Sequence, residues 1–316
     1  MAVCLIGCKQ EEPANRTSDS MLNGVFSVSA TKKVRFSRGN LQYRASTDTW
    51  RFAEHQWDIV GMGFGQTYED FYCTIGGTVT DGNNILISSS YNGWIDLFGW
   101  ATSGWDNTEE DPYAVNYNPW SVIDNYVHYY NISGFGPSSN QTDQNLTGES
   151  ANYDWGCNQI GEDAPRMWRT LTKDEWYYLL CTRRNADNKY GVAKVNGVTG
   201  VVILPDDWIG VPVGCNFTPG MADVGSWYDW DSVAATNVYS AEQWIKMEAA
   251  GAVFLPCAGV RYGSIPQGVG AFGSYWSTTA NYDFGAYALY FDFVCFNLNG
   301  KALREEGHSV RLVSEQ

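Results

Sequence analysis

The chain has 316 residues, of which only 17% are charged, and it is rich in Gly (33), Trp (14), Tyr (20) and Phe (14). That length fits one large domain or two small ones, and the composition favours strands and loops over long helices. A formal charge of −15 argues against a nucleic-acid partner, which needs a basic face, and no apolar run approaches the roughly 18 residues of a membrane span.

Near the start, Leu5-Ile6-Gly7-Cys8 is similar to a bacterial lipobox, in which a small residue precedes the acylated cysteine. The resemblance implies that residues 1–8 are a truncated lipoprotein signal and that Cys8 is the lipidation site. Residues 9–23 open on Lys9-Gln10-Glu11-Glu12-Pro13 and are polar, acidic and core-free, as expected of a flexible tether. Acidic residues directly after the cysteine resemble surface-export signals. The expected location is therefore the bacterial outer membrane, as a cell-surface lipoprotein whose only membrane partner is its lipid anchor.

Folded sequence is expected from residue 24 to residue 316 as a single domain. Phe26, Val28 and Ala30 alternate with small polar residues, and Val34 and Phe36 repeat the pattern, which reads as a hairpin. Gly39 to Tyr43 and Thr49 to Ala53 read as a second pair across Ser46-Thr47-Asp48. From residue 61 to about 165 Gly, Asn, Asp, Ser and Trp dominate, and the stretch reads as long loop insertions on one face. Short strand candidates inside it are residues 85–87 and 122–123. No fixed repeat period is present.

Thr172 with Glu175 three residues on is a capping box, and Trp176, Leu179 and Leu180 follow at helical spacing. Asn196-Gly197 between two valine-rich runs predicts a tight hairpin, closed by Pro205-Asp206-Asp207-Trp208. Ser240 and Gln243 form a second capping box before a short helix to Ala250. Val253-Phe254-Leu255-Pro256 follows that helix.

Catalytic motifs are scarce. His55, His128 and His308 share no metal spacing, and each reads as a surface or packing residue. Gly268-Val269-Gly270-Ala271-Phe272-Gly273 matches a dinucleotide fingerprint, but no helix pattern follows it. Beyond Cys4 and Cys8, the cysteines at 73, 157, 181, 215, 257 and 295 show no zinc spacing and are either buried thiols or up to three bridges. No cofactor is expected. Structural calcium is possible at Glu109-Glu110-Asp111 or Asp229-Trp230-Asp231, although a solvated loop is the better reading of each.

Residues 273–313 carry the strongest pattern. Tyr275-Trp276-Ser277-Thr278-Thr279-Ala280 opens the stretch, Ala286 to Phe291 supplies a core strand, and Gly307-His308-Ser309-Val310-Arg311 closes it. Between them lie more aromatics than a core strand needs, and large exposed aromatics are effective contact makers. This frame resembles the variable proteins of diversity-generating retroelements. They belong to the C-type-lectin-fold branch that also holds the formylglycine-generating (sulfatase-modifying-factor) enzymes. The block from Trp168-Arg169-Thr170-Leu171 through Trp208 is similar to bacterial surface lipoproteins of the same group.

The resemblance implies an α+β, C-type-lectin-like fold and a non-enzymatic, ligand-binding function. Residues 273–313 would be a diversified segment, and the partner a protein or glycan ligand on another cell, phage or host surface. Randomisation of adenines in Asn codons cannot yield Trp, Met, Gln, Lys or Glu, and residues 281–300 contain none of these, as is also true of residues 70–93 and 121–140. The expected ligand-binding residues are Tyr282, Asp283, Phe284, Tyr290, Asp292, Phe293, Phe296, Asn297 and Asn299. Tyr275, Trp276, Leu289, Phe291, Val310 and Arg311 would be framework. The alternatives are a fixed-specificity adhesin or glycan-binding lipoprotein, and, less favoured, an oxidase using Cys257 with Cys295.

Overall fold

The computed structural model describes residues 20–60, 82–84, 88–104, 119–120, 145–221, 237–263, 265–281, 285–292 and 296–316. The expectations for Cys8, Cys73, Cys295, the short strands at 85–87 and 122–123, and the two acidic clusters fall outside these residues.

The expected early hairpins are present. β1 (Phe26–Ser27) pairs with β2 (Lys33–Phe36), and β3 (Leu41–Arg44) with β4 (Thr49–Phe52). After β5 (Arg169–Thr170) comes α1 (Lys173–Tyr177), which continues through a wider helical turn to Thr182. The capping box is reciprocal. Thr172 Oγ1 accepts from Glu175 N at 3.1 Å, and Glu175 Oε2 accepts from Thr172 N at 2.9 Å.

β6 (Tyr190–Val195) and β7 (Val198–Ile203) turn at Asn196 (φ 47°) and Gly197 (φ 85°), the paired positive dihedrals that a two-residue hairpin of matching twist demands. β8 (Val238–Tyr239) leads into α2 (Ala241–Ala249), capped by Ser240 and Gln243, and β9 (Val253–Pro256) follows. These strands form a sheet of order β8-β6-β7-β9.

The chain then makes the β10 (Val260–Tyr262) and β11 (Ile265–Gln267) hairpin, and the antiparallel meander of β12 (Gly273–Asn281), β13 (Gly285–Phe291) and β14 (Phe296–Leu303). The glycine run at 268–273 leads into strand β12, so no helix N-terminus is there to meet a pyrophosphate. Finally β15 (Leu312–Glu315) inserts between β2 and β5. First and last strands thus share one sheet, which ties the two ends of a mixed, strand-rich α+β fold together.

Three apolar cores form among the described residues. One gathers Phe26, Phe36, Trp176, Leu255, Leu289 and Phe291. The second is built largely of indoles, including Trp50, Trp100, Trp155, Trp168 and Trp276. The third packs α2 against the outer face of β6 and β7 through Trp244, Tyr239, Val202 and Phe254. Strand β12 is the wall between the first two, because period-two alternation sends Tyr275 into one and Trp276 into the other.

The stretch read as surface insertions differs in part from that expectation. Ile95, Leu97, Phe98 and Trp100 are buried, with Leu97, Phe98 and Trp100 at 0% exposure. The segment has no hydrophobic period because it runs as single bridges rather than as a strand. Ile95 exchanges bonds with Tyr43, Phe98 with His308, and Trp100 N donates to Arg304 O at 2.7 Å. Its backbone is paid for one group at a time, which satisfies buried polar groups without regular structure.

Asp154 is buried under β5, where Thr170 N and Thr170 Oγ1 donate to its carboxylate at 2.9 and 2.6 Å. Burial outweighs those bonds and pushes its pKa up to about 6. A carboxyl raised in the folded state favours folding below its unfolded pKa, near 4, and that contribution is lost as pH rises to 6. An Asp154→Asn variant can keep both contacts, because its amide can donate to the Thr170 hydroxyl. Between pH 4 and pH 7 the wild type should lose about 2 kcal/mol more unfolding free energy than Asp154→Asn. Urea melts at the two pH values measure this, and identical pH dependence would refute it.

Candidate ligand-binding surface

The meander β12–β13–β14 has two faces of different character, set by its register. Tyr275 lies opposite Leu289, and Phe291 opposite Phe296, on the face that covers the first core. Ser274 lies opposite Tyr290, and Tyr290 opposite Asn297, on the other face. There an open groove of about 530 Å³ is lined by Tyr290, Asn297 and Lys301 from the meander. Tyr262, Gln267 and Phe272 from the β10–β11 hairpin and its exit supply the facing wall. The Phe272 and Tyr290 rings pack at 5.2 Å, tilted by 36°.

The groove floor is polar and tightly held. His308 Nδ1 lies 2.6 Å from Ser274 Oγ, and its Nε2 lies 3.2 Å from Glu306 Oε2. Trp276 packs on the imidazole at 4.2 Å between ring centroids. A serine, a histidine and a carboxylate in sequence invite a nucleophilic reading. Ser274 is however 1% exposed, so the chain of bonds anchors the segment after β14 to β12 rather than presenting a hydroxyl to substrate.

Behind the other face sits a buried polar hub. Gln56 Oε1 accepts from Arg311 Nη2 and from Phe254 N, each at 2.7 Å. Its amide donates to Glu248 Oε2 at 2.8 Å and to Ala252 O at 3.3 Å. Arg311 also reaches Asn40 at 3.4 Å, Asn40 donates to the Tyr275 hydroxyl at 3.2 Å, and that hydroxyl donates to Pro256 O at 2.8 Å. Burial pushes the Arg311 guanidinium down to about 10 and the Tyr275 phenol well up. Both therefore keep their ordinary charge at neutral pH.

Two more bonds lock β12 from the second core. Trp276 Nε1 donates to Phe98 O at 2.6 Å, and Trp100 Nε1 donates to Ser277 O at 2.8 Å. Arg261, buried beside the groove wall, donates to Leu97 O at 3.2 Å, and burial pushes it down to about 10.

Of the expected binding residues, Tyr290 and Asn297 line the groove and are brought together by the β13–β14 register. Asn299 is exposed on β14, and Asp292 is half-buried just past the end of β13. Phe296 lies on the opposite face, edge-on to Tyr190 at 4.9 Å and to Phe291 at 5.8 Å. Tyr282, Asp283, Phe284 and Phe293 lie outside the described residues. The expected framework residues Tyr275, Trp276, Leu289, Phe291, Val310 and Arg311 are all buried.

Sequence reasoning missed Tyr262, Gln267, Phe272, Ser274, Lys301 and Glu306, and it read His308 only as a surface or packing residue. The available signal was alternation. Ser274 precedes the core residue Tyr275, so it had to face the other way. Cys157, Cys181, Cys215 and Cys257 are free thiols. Cys257 is buried, and that burial with the nearby Asp292 charge pushes its thiol far up, the reverse of what a reactive thiol needs.

Comparison of the chain with protein-family models, curated proteins and solved structures finds no match.

Gln56 is 0% exposed and satisfies four partners at once. Gln56→Leu keeps volume but orphans Phe254 N, Ala252 O and the Arg311 guanidinium. The variant should lose about 3–5 kcal/mol of stability. Denaturant unfolding measures the change, and a loss under about 1 kcal/mol would contradict the hub's role.

Proposed function

We propose that the chain is a non-enzymatic recognition protein with a C-type-lectin-like fold of the formylglycine-generating-enzyme-like branch. Its C-terminal segment serves as a diversified ligand site. The observation that carries this reading is the division of labour in the meander. Tyr275, Leu289 and Phe291 are 0–1% exposed on one face, while Tyr290 and Asn297 look into an open groove on the other. Positions that alternate between fixed core and free surface can be exchanged on one face without disturbing the fold.

The ligand is a protein or a glycan held by shape and hydrogen-bond complementarity, with no bond made or broken. The protonated, buried Cys257 supports the non-catalytic reading. The chain is displayed from the outer membrane through acylated Cys8, and a lipid anchor brings such a surface to partners on other cells or phages. A second reading, a fixed glycan-binding lipoprotein, is favoured by the Phe272–Tyr290 ring pair beside the amides of Asn297 and Gln267. Aromatic rings flanked by amides suit a sugar ring and its hydroxyls.

The DNA next to the gene separates the two. Diversification predicts a reverse-transcriptase gene and a near-copy of the segment coding for residues 273–313, differing at adenines. The differing codons should include those of Tyr290 and Asn297, and should spare Trp276, Leu289, Phe291 and Arg311. Lack of any near-copy, or differences spread over the framework codons, leaves the fixed binder.

A further inference from the structure

Between β7 and β8 the chain displays an apolar tip that no described residue covers. Ile209 is 97% exposed, Val213 91% and Val211 41%. The tip is held out from the domain by both its roots. Trp208 on one side, and Cys215 and Phe217 on the other, pack against the third core. Cys215 N donates to Pro212 O at 3.0 Å, closing a turn. Gln243 Nε2 from α2 donates to Gly214 O at 2.8 Å, and Cys215 Sγ reaches Gln243 O at 3.5 Å. Three aliphatic side chains are thus presented on a braced loop. Scattered exposed aliphatics are ordinary; an adjacent set held outward by anchored roots is an interaction site.

The position of the loop indicates its occupant. Asp206, three residues before Ile209, binds the first strand of the domain: Asp206 N donates to Val25 O at 2.8 Å, and Ser27 N donates to Asp206 Oδ2 at 2.8 Å. Just upstream Gly24 is pressed against Gly251, where a Cβ would meet the Gly251 carbonyl oxygen at 2.2 Å. The first strand of the domain and the root of the apolar loop are therefore neighbours, and the chain comes to that strand from Ser20, whose carbonyl oxygen accepts from Arg38 N at 2.7 Å. Ile209 lies at most roughly 10 Å along the chain from Asp206, and Ser20 at most roughly 40 Å along the chain from Cys8. A bilayer holding Cys8 is within reach of the loop.

We propose that Ile209, Val211 and Val213 insert into the interfacial region of the lipid bilayer, so that the domain is seated on the membrane by a direct contact as well as by its anchor. The inference rests on the lipid-anchor reading. Its chemistry is apolar insertion rather than headgroup charge recognition, because cations at the loop's root are already engaged: Arg183 pairs with Asp206 at 3.1 Å, and Lys189 Nζ donates to Pro205 O and Asp206 O. Tethering raises the local concentration of bilayer, so that a contact that recruits a free protein only weakly firmly orients an anchored one.

The test uses the full chain with Cys8→Ser, which removes acylation, and vesicles of phosphatidylethanolamine with one-fifth phosphatidylglycerol. Sedimentation should show weak retention that persists in about 0.5 M salt. Adding Ile209→Ser and Val213→Ser should cut that retention at least tenfold, with an unchanged melting temperature. Retention unaffected by the two substitutions, or abolished by salt, overturns the proposal. So does lack of retention in a chain that self-associates through Ile209 and Val213, which assigns the loop to a second copy. The anchor reading is judged separately by the mass of the mature protein extracted from membranes: a Cys8 without acyl groups sinks the anchor whatever the vesicles show.

Discussion

The buried amide of Gln56 is the constraint on which the C-terminal meander depends. It collects the guanidinium of Arg311, the backbone of Phe254 and Ala252, and the carboxylate of Glu248. Through Asn40 the same network reaches Tyr275, the first core residue of the meander. Among the described residues Arg311 makes no ion pair, and burial lowers its pKa to about 10 without neutralising it. A cation in such a place adds little net stability over an apolar side chain. What it fixes is geometry. Every partner must be in position before the charge is tolerable, so the network sets how the β14–β15 connection meets β9 and the loop after β4.

From that constraint follows the two-faced character of β12–β14. One face is committed to the first core through Tyr275, Leu289 and Phe291. The other rises from a floor stapled by Ser274, His308 and Glu306 into a groove with aromatic and amide walls. A surface built this way loses little conformational entropy when it binds, since its backbone is already fixed and its rings have few torsions. In the floor, the polar groups of Ser274, His308 and Glu306 are occupied in holding the scaffold.

Much of the fold was legible in the sequence because it is written in local rules. The Thr172–Glu175 and Ser240–Gln243 boxes cap helices, and Asn196-Gly197 turns a hairpin, since those residue types solve backbone problems within a few positions. The frame residues of the C-terminal segment were legible through alternation and resemblance. The run from Trp94 to Trp100 was not, because its burial comes from isolated bridges to β3 and to His308 that leave no period. The groove wall was only half legible: Tyr262, Gln267 and Phe272 meet Tyr290 and Asn297 through tertiary packing. Arg311 was placed as framework, but its dependence on Gln56, 255 residues away, has no local signature.

The most direct measurement is binding of the purified protein to arrays of surface glycans and of bacterial and host surface proteins. It should be made beside a Tyr290→Ala, Asn297→Ala double variant whose thermal midpoint is unchanged. The groove account predicts at least one ligand bound by the parent and lost, by at least tenfold in affinity, in the double variant. A ligand bound equally well by both would place recognition elsewhere on the molecule and contradict the account.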